Sequence, residues 1–561
     1  MKKIHLFPLL SALFFVGCSQ DEVVPGGENV GDGSNTSYMA VNLISSDISG
    51  SRVKEGYEDG SKVENKVNNV RFYFFNEVGA SVNVKLQNGS YVNYFDWTPK
   101  AGDQSPDTND DDDIESNLTA IVVINTAKGD KIPQRMAAVL NPPTINGTPL
   151  LPDQSISLNT LKEKVANFST TDLTKEGGFV MFNSVYASGG EQISTAFIKA
   201  ENLCKDETAA KASPVTIYVE RSVAKVKVTL GDDVKAAAES KLALKNTKGE
   251  DLTIDGQQVY LKLDGWSLTA ETSEGRLVKR IDPTWPRSWW NDSYRSYWAI
   301  NSMTAKNLYY DYKSIKTSFG ADNALYTNEN AQLNDIDDTK GQAQKKTKVI
   351  IKGNLQKADG TALTIVRHLG VYFVDDVNLT VLKGSILRQL EASGYNYYFE
   401  DGNKRTQIGA NEIEISIVPQ KDQEDSQNNC YVYAQLTEAA KTKTWYNSLD
   451  ESASALTTDE VNGINDNLAN TKVVDRALVW KSGMTYYYYE IKHLPESNMN
   501  GVVRNHVYVT NVTKIAGLGT PVYDPDEEIY PEKPDPNDHY IAAEIKILSW
   551  RIVNGDYPLE W

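Results

Sequence analysis

The chain has 561 residues, with 57 Lys and Arg against 75 Asp and Glu, so its formal net charge is −18. A nucleic-acid partner would need a basic surface, and this acidic balance argues against one. The length allows about two or three domains with their own cores. Three cysteines are too few for a disulfide framework.

The first residues have the pattern of a bacterial lipoprotein signal peptide. Lys2 and Lys3 precede an apolar run from Leu6 to Val16 that is too short to span a bilayer. Gly17, a small residue, then precedes Cys18. We expect Cys18 to take a diacylglycerol and to become the new N-terminus; an ordinary signal peptide with an incidental cysteine is the alternative. No later apolar run is long enough for a transmembrane helix, so a lipid would be the anchor.

A tether, a strand and a loop follow this segment. Residues from Ser19 to Ser37 are rich in Gly, Asn and acids, which predicts a flexible tether. In the next stretch Met39, Val41 and Leu43 alternate with other residues, which predicts a half-buried strand. A polar loop then runs to Lys66 and contains the first arginine of the chain, Arg52.

The body of the chain reads as short strands separated by turns. β-branched and aromatic residues dominate them, and Asn88-Gly89 predicts a hairpin. We therefore expect β-sandwich domains with long loops. The predicted strands are 70–75, 82–86, 91–97, 118–126, 215–219, 226–230, 349–351, 363–366, 413–418 and 486–491.

One helix is predicted. Leu158, Leu161, Val165 and Phe168 share a helical face, and Ser157 or Asn159 would cap the helix.

Two other stretches have unusual composition. Asp107 to Glu115 is strongly acidic, but it has Asp112 where a calcium loop needs glycine, so we favour a solvated loop over a metal site. Pro521 to Asp538 is rich in proline and acids, which predicts an extended, poorly packed spacer. Cys204 and Cys430 are compatible with a disulfide or with two free thiols.

No motif points to catalysis. The chain contains no phosphate-binding loop, dinucleotide fingerprint, HExxH, CxxC or GxSxG sequence. His368, His493, His506 and His539 have no neighbours at metal-ligand spacing, so we expect structural roles for them. We predict no enzyme activity, no cofactor and no metal, although two distant glycosidase carboxylates would leave no local signature.

Five segments carry a further signal, and they are Val219 to Val226 (VERSVAKV), Tyr297 to Asn301 (YWAIN), Gly483 to His493 (GMTYYYYEIKH), Val502 to Tyr508 (VVRNHVY) and the end of the chain from Trp550 to Trp561. These segments resemble the Bacteroidales fimbrillins, the type V pilins. Their order and the overall length are most similar to the minor fimbrillins, the shaft subunits of short fimbriae. From the residues alone, Arg221 is a candidate ion-pair partner at a domain junction. Arg504, Asn505 and His506 are expected to form a tied-down turn.

The resemblance implies an all-β fold with two transthyretin-like β-sandwich domains, long loops and few short helices. The expected organisation is a signal peptide over residues 1–17, a propeptide over 18–52, an N-terminal sandwich over 53–220 and a C-terminal sandwich over 221–561. The implied location is a cell-surface fimbria, with the precursor anchored by lipid at the outer membrane. Adhesion and biofilm formation are the implied roles.

The resemblance also implies assembly by strand exchange. An arginine-specific protease would cut between Arg52 and Val53, and the strand with Met39, Val41 and Leu43 would leave. A C-terminal strand of another copy would fill the exposed groove and build a head-to-tail filament. The expected donor side chains are Leu548, Trp550 and Ile552, and then Tyr557, Leu559 and Trp561 after an Asn554-Gly555 bend.

Other partners and two other functions stay open. The implied partners are accessory tip and anchor proteins and ligands on host or bacterial surfaces. One alternative is a tip, anchor or adhesin component of the same fimbria. The other is an unrelated glycan-binding or hydrolytic surface lipoprotein, for which Trp285, Trp289, Trp290 and Trp298 could stack on sugars.

Overall fold

The computed structural model describes residues 36–45, 60–106, 116–125, 131–167, 178–188, 191–246, 248–280, 307–331, 346–417, 431–470, 477–494, 499–531, 540–548 and 552–555. Strands predominate over these ranges, and only three of the α-helices found there have eight or more residues. This confirms the all-β class with few short helices that was expected from the sequence.

The N-terminal part contains one sheet of eleven strands and several smaller strand pairs. Its elements are β1 (Thr36–Ser45), β2 (Val70–Phe75), β3 (Val84–Leu86), β4 (Tyr91–Val92), β5 (Tyr94–Trp97), β6 (Gln104–Pro106), β7 (Ser116–Asn125), β8 (Arg135–Leu140), β9 (Thr144–Ile145), β10 (Thr148–Pro149), α1 (Leu158–Lys162), β11 (Val165–Asn167), β12 (Met181–Asn183), β13 (Tyr186–Ser188), β14 (Glu191–Ile193), β15 (Ala196–Phe197), α2 (Glu207–Ala212) and β16 (Val215–Arg221). The strand order is β4-β3-β7-β1-β16-β12-β8-β2-β5, with β15 paired to β8 and β6 paired to β7.

Apolar patterning explains these strands. In β16 the side chains of Val215, Ile217 and Val219 are buried while Thr216 is exposed, as the alternation predicted. All six residues of β2 are buried, because this aromatic run is covered on both faces. The predicted Asn88-Gly89 turn joins β3 to β4, and Gly89 takes the positive φ of 87° that such turns require.

The rest of the chain forms several further sheets. Its elements are β17 (Ala224–Leu230), α3 (Asp232–Glu239), β18 (Leu242–Ala243), β19 (Thr253–Ile254), β20 (Gln257–Gln258), β21 (Tyr260–Thr269), β22 (Glu271–Thr272), β23 (Glu274–Arg276), β24 (Asn307–Leu308), β25 (Tyr310–Asp311), β26 (Ala324–Thr327), β27 (Asn330–Ala331), β28 (Lys348–Gln356), β29 (Ile365–His368), β30 (Val371–Val374), α4 (Thr380–Ala392), β31 (Tyr398–Asp401), β32 (Lys404–Gln407), β33 (Ile413–Ile417), β34 (Tyr431–Leu436), α5 (Glu438–Lys441), β35 (Trp445–Tyr446), α6 (Thr458–Asn470), β36 (Ala477–Trp480), β37 (Met484–Glu490), β38 (Lys492–Leu494), β39 (Met499–Val502), β40 (Val507–Ala516), β41 (Thr520–Pro521), β42 (Glu528–Ile529), β43 (Tyr540–Leu548) and β44 (Ile552–Gly555).

Two five-stranded sheets share the second core. One has the order β26-β17-β40-β43-β44 and the other the order β18-β21-β28-β37-β41. Val226 and Tyr508 from the first sheet and Trp266, Ile351 and Tyr487 from the second lie in one buried cluster. The two sheets therefore form a sandwich. Along the chain, the residues of the first core run to Val223 and those of the second begin at Ala224, and Leu277, Val278 and Val503 from the later part also pack in the first core.

A third lobe, formed by residues 365–480, is inserted between β28 and β37. It has a five-stranded sheet of order β30-β29-β36-β34-β33, a three-stranded sheet of order β32-β31-β35 and the helices α4, α5 and α6. Its core contains Leu382, Ile386, Trp445, Ile464 and Val479. The strand at 413–418 was expected, whereas the two long helices and the separate core were not.

The predicted helix after Ser157 is shorter than its apolar spacing indicated. The Ser157 hydroxyl accepts from the Thr160 amide and caps α1, but this helix ends at Lys162. Val165 instead begins β11, which pairs with β23, and Phe168 lies outside the described residues. Pairing with a distant strand has overridden a local helical pattern. Among the helices that the structure describes, none combines the length and hydropathy needed to cross a membrane.

The prediction of a poorly packed spacer after Pro521 is wrong for residues 521–531. Val522 and Ile529 are buried against the outer face of the β28–β37 pair, and β41 and β42 pair with β37 and β25. The Tyr523 hydroxyl donates to the carbonyl of Ile415 at 3.0 Å, and Lys348 Nζ donates to the carbonyl of Pro531 at 2.7 Å. Prolines fit this path because it makes few ladder bonds. Residues 532–538 of the predicted spacer lie outside the described ranges.

Candidate functional site

Strand β1 is an interior strand of the N-terminal sheet and lies between β7 and β16. It pairs antiparallel with β7 over all ten of its residues and parallel with β16 from Val41 onward. Backbone ladders therefore flank it on both sides. Removal of such a strand would expose two unpaired edges, whereas removal of an edge strand would expose only one.

The side chains of β1 are an integral part of the first core. Met39 and Val41 are 0 % exposed and Leu43 is 1 % exposed, and all three belong to one hydrophobic cluster. Ala40 is equally inaccessible, so the strand is more deeply buried than the half-buried strand that the alternation predicted. Asn42 accepts a hydrogen bond from the Thr119 hydroxyl at 3.0 Å.

A small cavity lies under the C-terminal end of β1. Its volume is ≈ 10 Å³, about what a single water molecule needs. Leu43 lines it together with Leu118 of β7, which lies directly opposite in the strand register. The remaining lining residues are Asn65, Val67, Gln104, Leu140, Met181 and Val219. The cavity therefore lies at the end of the strand that leads to the Arg52 loop.

Residues 60–67, called the clamp here, follow that loop in the chain. Glu64 is 1 % exposed, and its carboxylate contacts Lys225 Nζ at 2.9 Å and accepts from the Tyr326 hydroxyl at 2.9 Å. Burial alone would raise the pKa of Glu64. The Ser61 backbone amide and the Lys225 ammonium outweigh this effect and lower the pKa to about 2. The carboxylate is therefore ionised, and it ties this segment to β17 and β26.

Arg221 lies fully buried at the point where the first core meets the second. Its Nε donates to the Glu64 carbonyl at 3.2 Å, its Nη1 donates to Asn505 Oδ1 at 3.3 Å, and its Nη2 donates to Asn65 Oδ1. The sequence predicted a junction role for Arg221. These three bonds go to amide and carbonyl oxygens, and the pairing of Arg221 with a carboxylate stays a prediction.

Hydrogen bonds and an ion pair fix the predicted turn at Arg504, Asn505 and His506. Arg504 Nη2 contacts Glu329 Oε2 at 2.7 Å and donates to the carbonyl of Arg276 at 2.6 Å. Asn505 has a φ of 57°, and its amide donates to the carbonyl of Val223 at 2.8 Å. His506 Nδ1 lies 2.7 Å from the Arg504 carbonyl. The turn thus ties β40 to the start of β17.

The histidines of the described ranges have structural partners. His368 Nδ1 lies 3.0 Å from the Ser385 hydroxyl, and His493 Nδ1 lies 2.7 Å from the Tyr508 hydroxyl. Within the part of the chain that the structure describes, no group of three or more His, Cys, Asp or Glu residues could hold a metal ion. Cys204 is a free thiol there, and Cys430 lies outside these ranges.

The C-terminal strands fold back on the second sandwich. Strand β43 pairs antiparallel with β40, from Tyr540 opposite Ala516 to Leu548 opposite Val507, and then pairs with β44. This places the backbones of Leu548 and Ile552 side by side. Trp550, Tyr557, Leu559 and Trp561 lie outside the described residues.

Other predicted sites also fall outside the described ranges. They are Cys18, Arg52 and Val53, the acidic stretch 107–115, the YWAIN segment with its neighbouring tryptophans, and His539.

The clamp was not predicted from the sequence. Glu64 and Lys225 are 161 positions apart, and Glu64 stands in a polar loop that looks solvated. The one available signal was Lys225 itself, because a lysine inside an apolar strand of a core needs a buried partner.

One family model matches the C-terminal part of the chain. Residues 479–556 match the family model described as "Major fimbrial subunit protein type IV, Fimbrillin, C-terminal". The matched segment contains β37, β40 and β43 and the turn at Arg504. No curated protein matches the chain.

Several solved structures match the chain at low identity. A protein from Bacteroides eggerthii with a suggested role in cell adhesion has 10% identity, covers 94% of this chain and 98% of its own, and has a TM-score of 0.35. A fimbrial assembly protein from Parabacteroides distasonis has 13% identity, coverages of 57% and 82%, and a TM-score of 0.27. The tip fimbrial protein Mfa3 from Porphyromonas gingivalis has 10% identity, coverages of 91% and 99%, and a TM-score of 0.29. These likenesses are too weak to support a conclusion about this chain.

Proposed function

We propose that the protein is a structural subunit of a cell-surface fimbria and not an enzyme. The match of residues 479–556 to the C-terminal fimbrillin family model supports this proposal. The observation that carries the proposal is the central, buried position of β1 between β7 and β16. A strand in that position can be exchanged only for another strand with a matching apolar face.

In the proposed pathway, the subunit is first exported as a lipoprotein. Cys18 carries the lipid and holds the precursor at the outer membrane. An arginine-specific protease then cuts between Arg52 and Val53. Residues 46–59 separate β1 from the clamp, so a cut there leaves the clamp in the mature chain and releases β1 with the leader.

Release of β1 leaves a groove between two strands whose backbone N–H and C=O groups have lost their hydrogen-bond partners. The edges are β7 and β16, and the floor consists of the core side chains that Met39, Val41 and Leu43 covered. Exposed backbone groups and apolar surface both favour capture of another strand. The donor and acceptor surfaces differ, so each added copy offers a new groove and the assembly grows as a filament.

The proposed donor comes from the C-terminus of the next copy. Tyr557, Leu559 and Trp561 have the same two-residue spacing as Met39, Val41 and Leu43. Leu548, Trp550 and Ile552 have it as well, but donation of Leu548 would require the ladder between β43 and β40 to open. The last residues of the chain can donate while that ladder stays closed.

The division of the cores supports a two-domain organisation. We place the boundary between Val223 and Ala224, slightly beyond the boundary at 220 and 221 that the sequence suggested. The lobe of residues 365–480 is then an insertion in the second domain. The proposed partners are other copies of this chain, accessory tip and anchor proteins, and ligands on host or bacterial surfaces. Adhesion and biofilm formation are the proposed consequences.

The inserted lobe favours one alternative. A separate core within the second domain is the kind of addition expected of a tip or adhesin component. A tip subunit would accept or donate only once and would not polymerise by itself, whereas a shaft subunit would.

The experiment is electron microscopy of the purified precursor after trypsin-like cleavage. Deletion of Tyr557 to Trp561 removes three large apolar side chains, each contributing about 1.5–3 kcal/mol on burial. Even half of that loss weakens a contact roughly a hundredfold. The parent should form filaments and the deletion variant should remain monomeric after cleavage.

The matched control is the double substitution Pro558→Ala and Glu560→Ala, which changes the alternate positions of the same tail. It should still assemble. Filaments of ordinary length from the deletion variant would exclude this tail as the donor.

A further inference from the structure

The face of β1 that points away from the first core is closed at one position. Side chains alternate between the two faces of a strand, so Tyr38, Ala40 and Asn42 lie on the face opposite to the core residues of β1. Tyr38 and Asn42 are half-buried, whereas Ala40 is 0 % exposed. The place of Ala40 is therefore covered by another part of the protein, and the places on either side of it are partly open.

Helix α2 accounts for this cover. It lies against β1, and it belongs to residues 199–214, called the strap here, which lead into β16. Ala210 is 0 % exposed, whereas the other five residues of α2 are exposed, so the helix turns one small side chain towards the protein. Small side chains on both elements allow this close approach, and a large side chain in the place of Ala40 would collide with α2.

Side-chain hydrogen bonds hold the strap in place. Asn202 is 6 % exposed, and its side-chain oxygen accepts from the Lys199 amide at 2.8 Å. Its Nδ2 donates to the carbonyls of Ser213 at 3.0 Å and Pro214 at 3.2 Å. Because these bonds join the two ends of the strap, it forms a closed loop that resists displacement of α2.

The backbone of β1 changes its partner at Ala40. Before this residue, the Tyr38 amide donates to the Cys204 carbonyl and the Cys204 amide donates to the Tyr38 carbonyl, both at 2.8 Å. After it, the ladder with β16 begins, where Val41 is opposite Val215. Ala40 thus lies between the part of β1 that pairs with the strap and the part that pairs with β16.

The directions of the backbone groups decide where a donor can carry a proline. The groups of Tyr38 face the strap. Backbone groups alternate along a strand, so those of Ala40, Asn42 and Ile44 face this same edge. In the parallel ladder the Asn42 and Ile44 amides point to carbonyls of β16. The Ala40 amide points between the two partners, and the last carbonyls of the strap accept from Asn202 instead. A proline in the place of Ala40 would therefore remove no bond of this edge, whereas a proline at the other three places would remove one.

The proposed donor has a proline on the corresponding face. Tyr557, Leu559 and Trp561 have the spacing of a core-facing side, so Pro558 lies on the outer side of the tail. Of the outer places in β1, that of Ala40 suits both the missing amide of a proline and its compact ring.

We propose that the exchanged tail binds in one register, in the direction of β1, with Pro558 in the place of Ala40 beneath α2. The inference rests on the proposed strand exchange, and the occupant is the C-terminal tail of a second copy of this chain. Glu560 then takes the place of Asn42, where a carboxylate oxygen can accept the bond that the Thr119 hydroxyl donates to Asn42 at 3.0 Å. The core-facing residues Tyr557, Leu559 and Trp561 take the places of Met39, Val41 and Leu43.

Disulfide cross-linking measures the register. In β1, Asn42 is opposite Thr119 of β7, and the neighbouring outer places are opposite Ile121 and Asn117. Glu560→Cys combined with Thr119→Cys in one full-length chain should link each copy to the next after cleavage, because facing residues of paired antiparallel strands lie at disulfide distance. The matched controls combine Glu560→Cys with Ile121→Cys or Asn117→Cys, which test registers shifted by two residues. All three positions on β7 are half-buried.

Non-reducing electrophoresis separates the outcomes, with Cys204→Ser and Cys430→Ser in every protein. We expect linked copies from the Thr119→Cys protein and at most about a tenth as many from either control. Filaments that are linked through a control position, or that are not linked at all, would overturn the register and leave fimbrial assembly standing. If the parent does not assemble after cleavage, strand exchange fails and the inference fails with it.

Size variants of the tail measure the restriction that α2 imposes. Pro558→Trp should lower the filament yield after cleavage at least about tenfold, because the strap resists displacement of α2. The matched control is Glu560→Trp, which should assemble like the parent because the place of Asn42 is only half-buried. Equal yields from these two variants would contradict the placement of Pro558 beneath α2.

Discussion

Leu43 and Leu118 offer a direct test of whether β1 leaves the mature protein. They lie opposite each other on β1 and β7, they are 1 % and 3 % exposed, and they line the same small cavity. Only Leu43 belongs to the strand that is proposed to leave with the leader. Replacing each leucine by alanine in turn should therefore have different effects on the stability of the precursor and on that of the filament.

The precursor should be destabilised by both substitutions. A buried Leu→Ala change costs about 2–5 kcal/mol through lost burial and the void that it leaves. The existing cavity of ≈ 10 Å³ would grow at either position. We therefore expect Leu43→Ala and Leu118→Ala to lower the free energy of unfolding of the first domain by similar amounts. Urea denaturation of the uncut precursor measures this change.

Only the Leu118→Ala substitution should lower the stability of the filament. Filaments assembled from the Leu118→Ala protein keep the defect, because β7 stays in the subunit. Filaments from the Leu43→Ala protein should dissociate at the same guanidinium concentration as parental filaments. If Leu43→Ala weakens filaments as much as Leu118→Ala does, β1 is retained and the proposed exchange is refuted.

Three further predictions concern processing and pH. Cys18→Ala should abolish fatty-acid labelling and outer-membrane delivery, and label retained in that variant would exclude Cys18 as the lipid site. Arg52→Ala should give a folded monomer that keeps its leader and does not polymerise, and N-terminal sequencing of parental fimbriae should begin at Val53. The Glu64 carboxylate, whose pKa is lowered to about 2, should stabilise the protein above pH ~4.5 by up to about 3 kcal/mol and lose this contribution as the pH falls towards 2. Urea midpoints at pH 7 and pH 3 should differ less in Glu64→Gln than in the parent.

Much of the strand content follows from the sequence because its cause is local. Alternation at Val215, Ile217 and Val219 and the aromatic run from Val70 to Phe75 both gave strands at the predicted positions. The Asn88-Gly89 turn was equally local, since a positive φ at the glycine selects it.

The errors arose where distant partners decide the structure. The helix from Leu158 stops early because Val165 pairs with Arg276 of β23. The residues after Pro521 pack because the aromatic face of β37 offers them a surface, which proline content alone does not reveal. The long helices α4 and α6 of the inserted lobe were not predicted, because the spacing of their apolar residues was not distinguished from that of the neighbouring strands.

The candidate site was only partly predictable for the same reason. Alternation was enough to identify Met39, Val41 and Leu43, because burial of one face repeats every second residue. Alternation does not reveal that β1 is a central strand, since its neighbours β7 and β16 are distant in the chain. The clamp of Glu64 with Lys225 and Arg221 depends on contacts over more than 150 positions, which no local pattern encodes.

The central position of β1 determines the order of events in the proposed assembly. A processed subunit without a donor would expose the edges of β7 and β16 together with the side chains beneath Met39, Val41 and Leu43. Such a state is open to aggregation, so cleavage and capture of the next tail must be closely coupled in time. The clamp helps here, because Glu64 and Asn65 stay bonded to Lys225 and Arg221 and hold the chain beside the vacated groove. The groove then keeps its folded shape for the short interval before the incoming strand binds, which lowers the entropy cost of each addition.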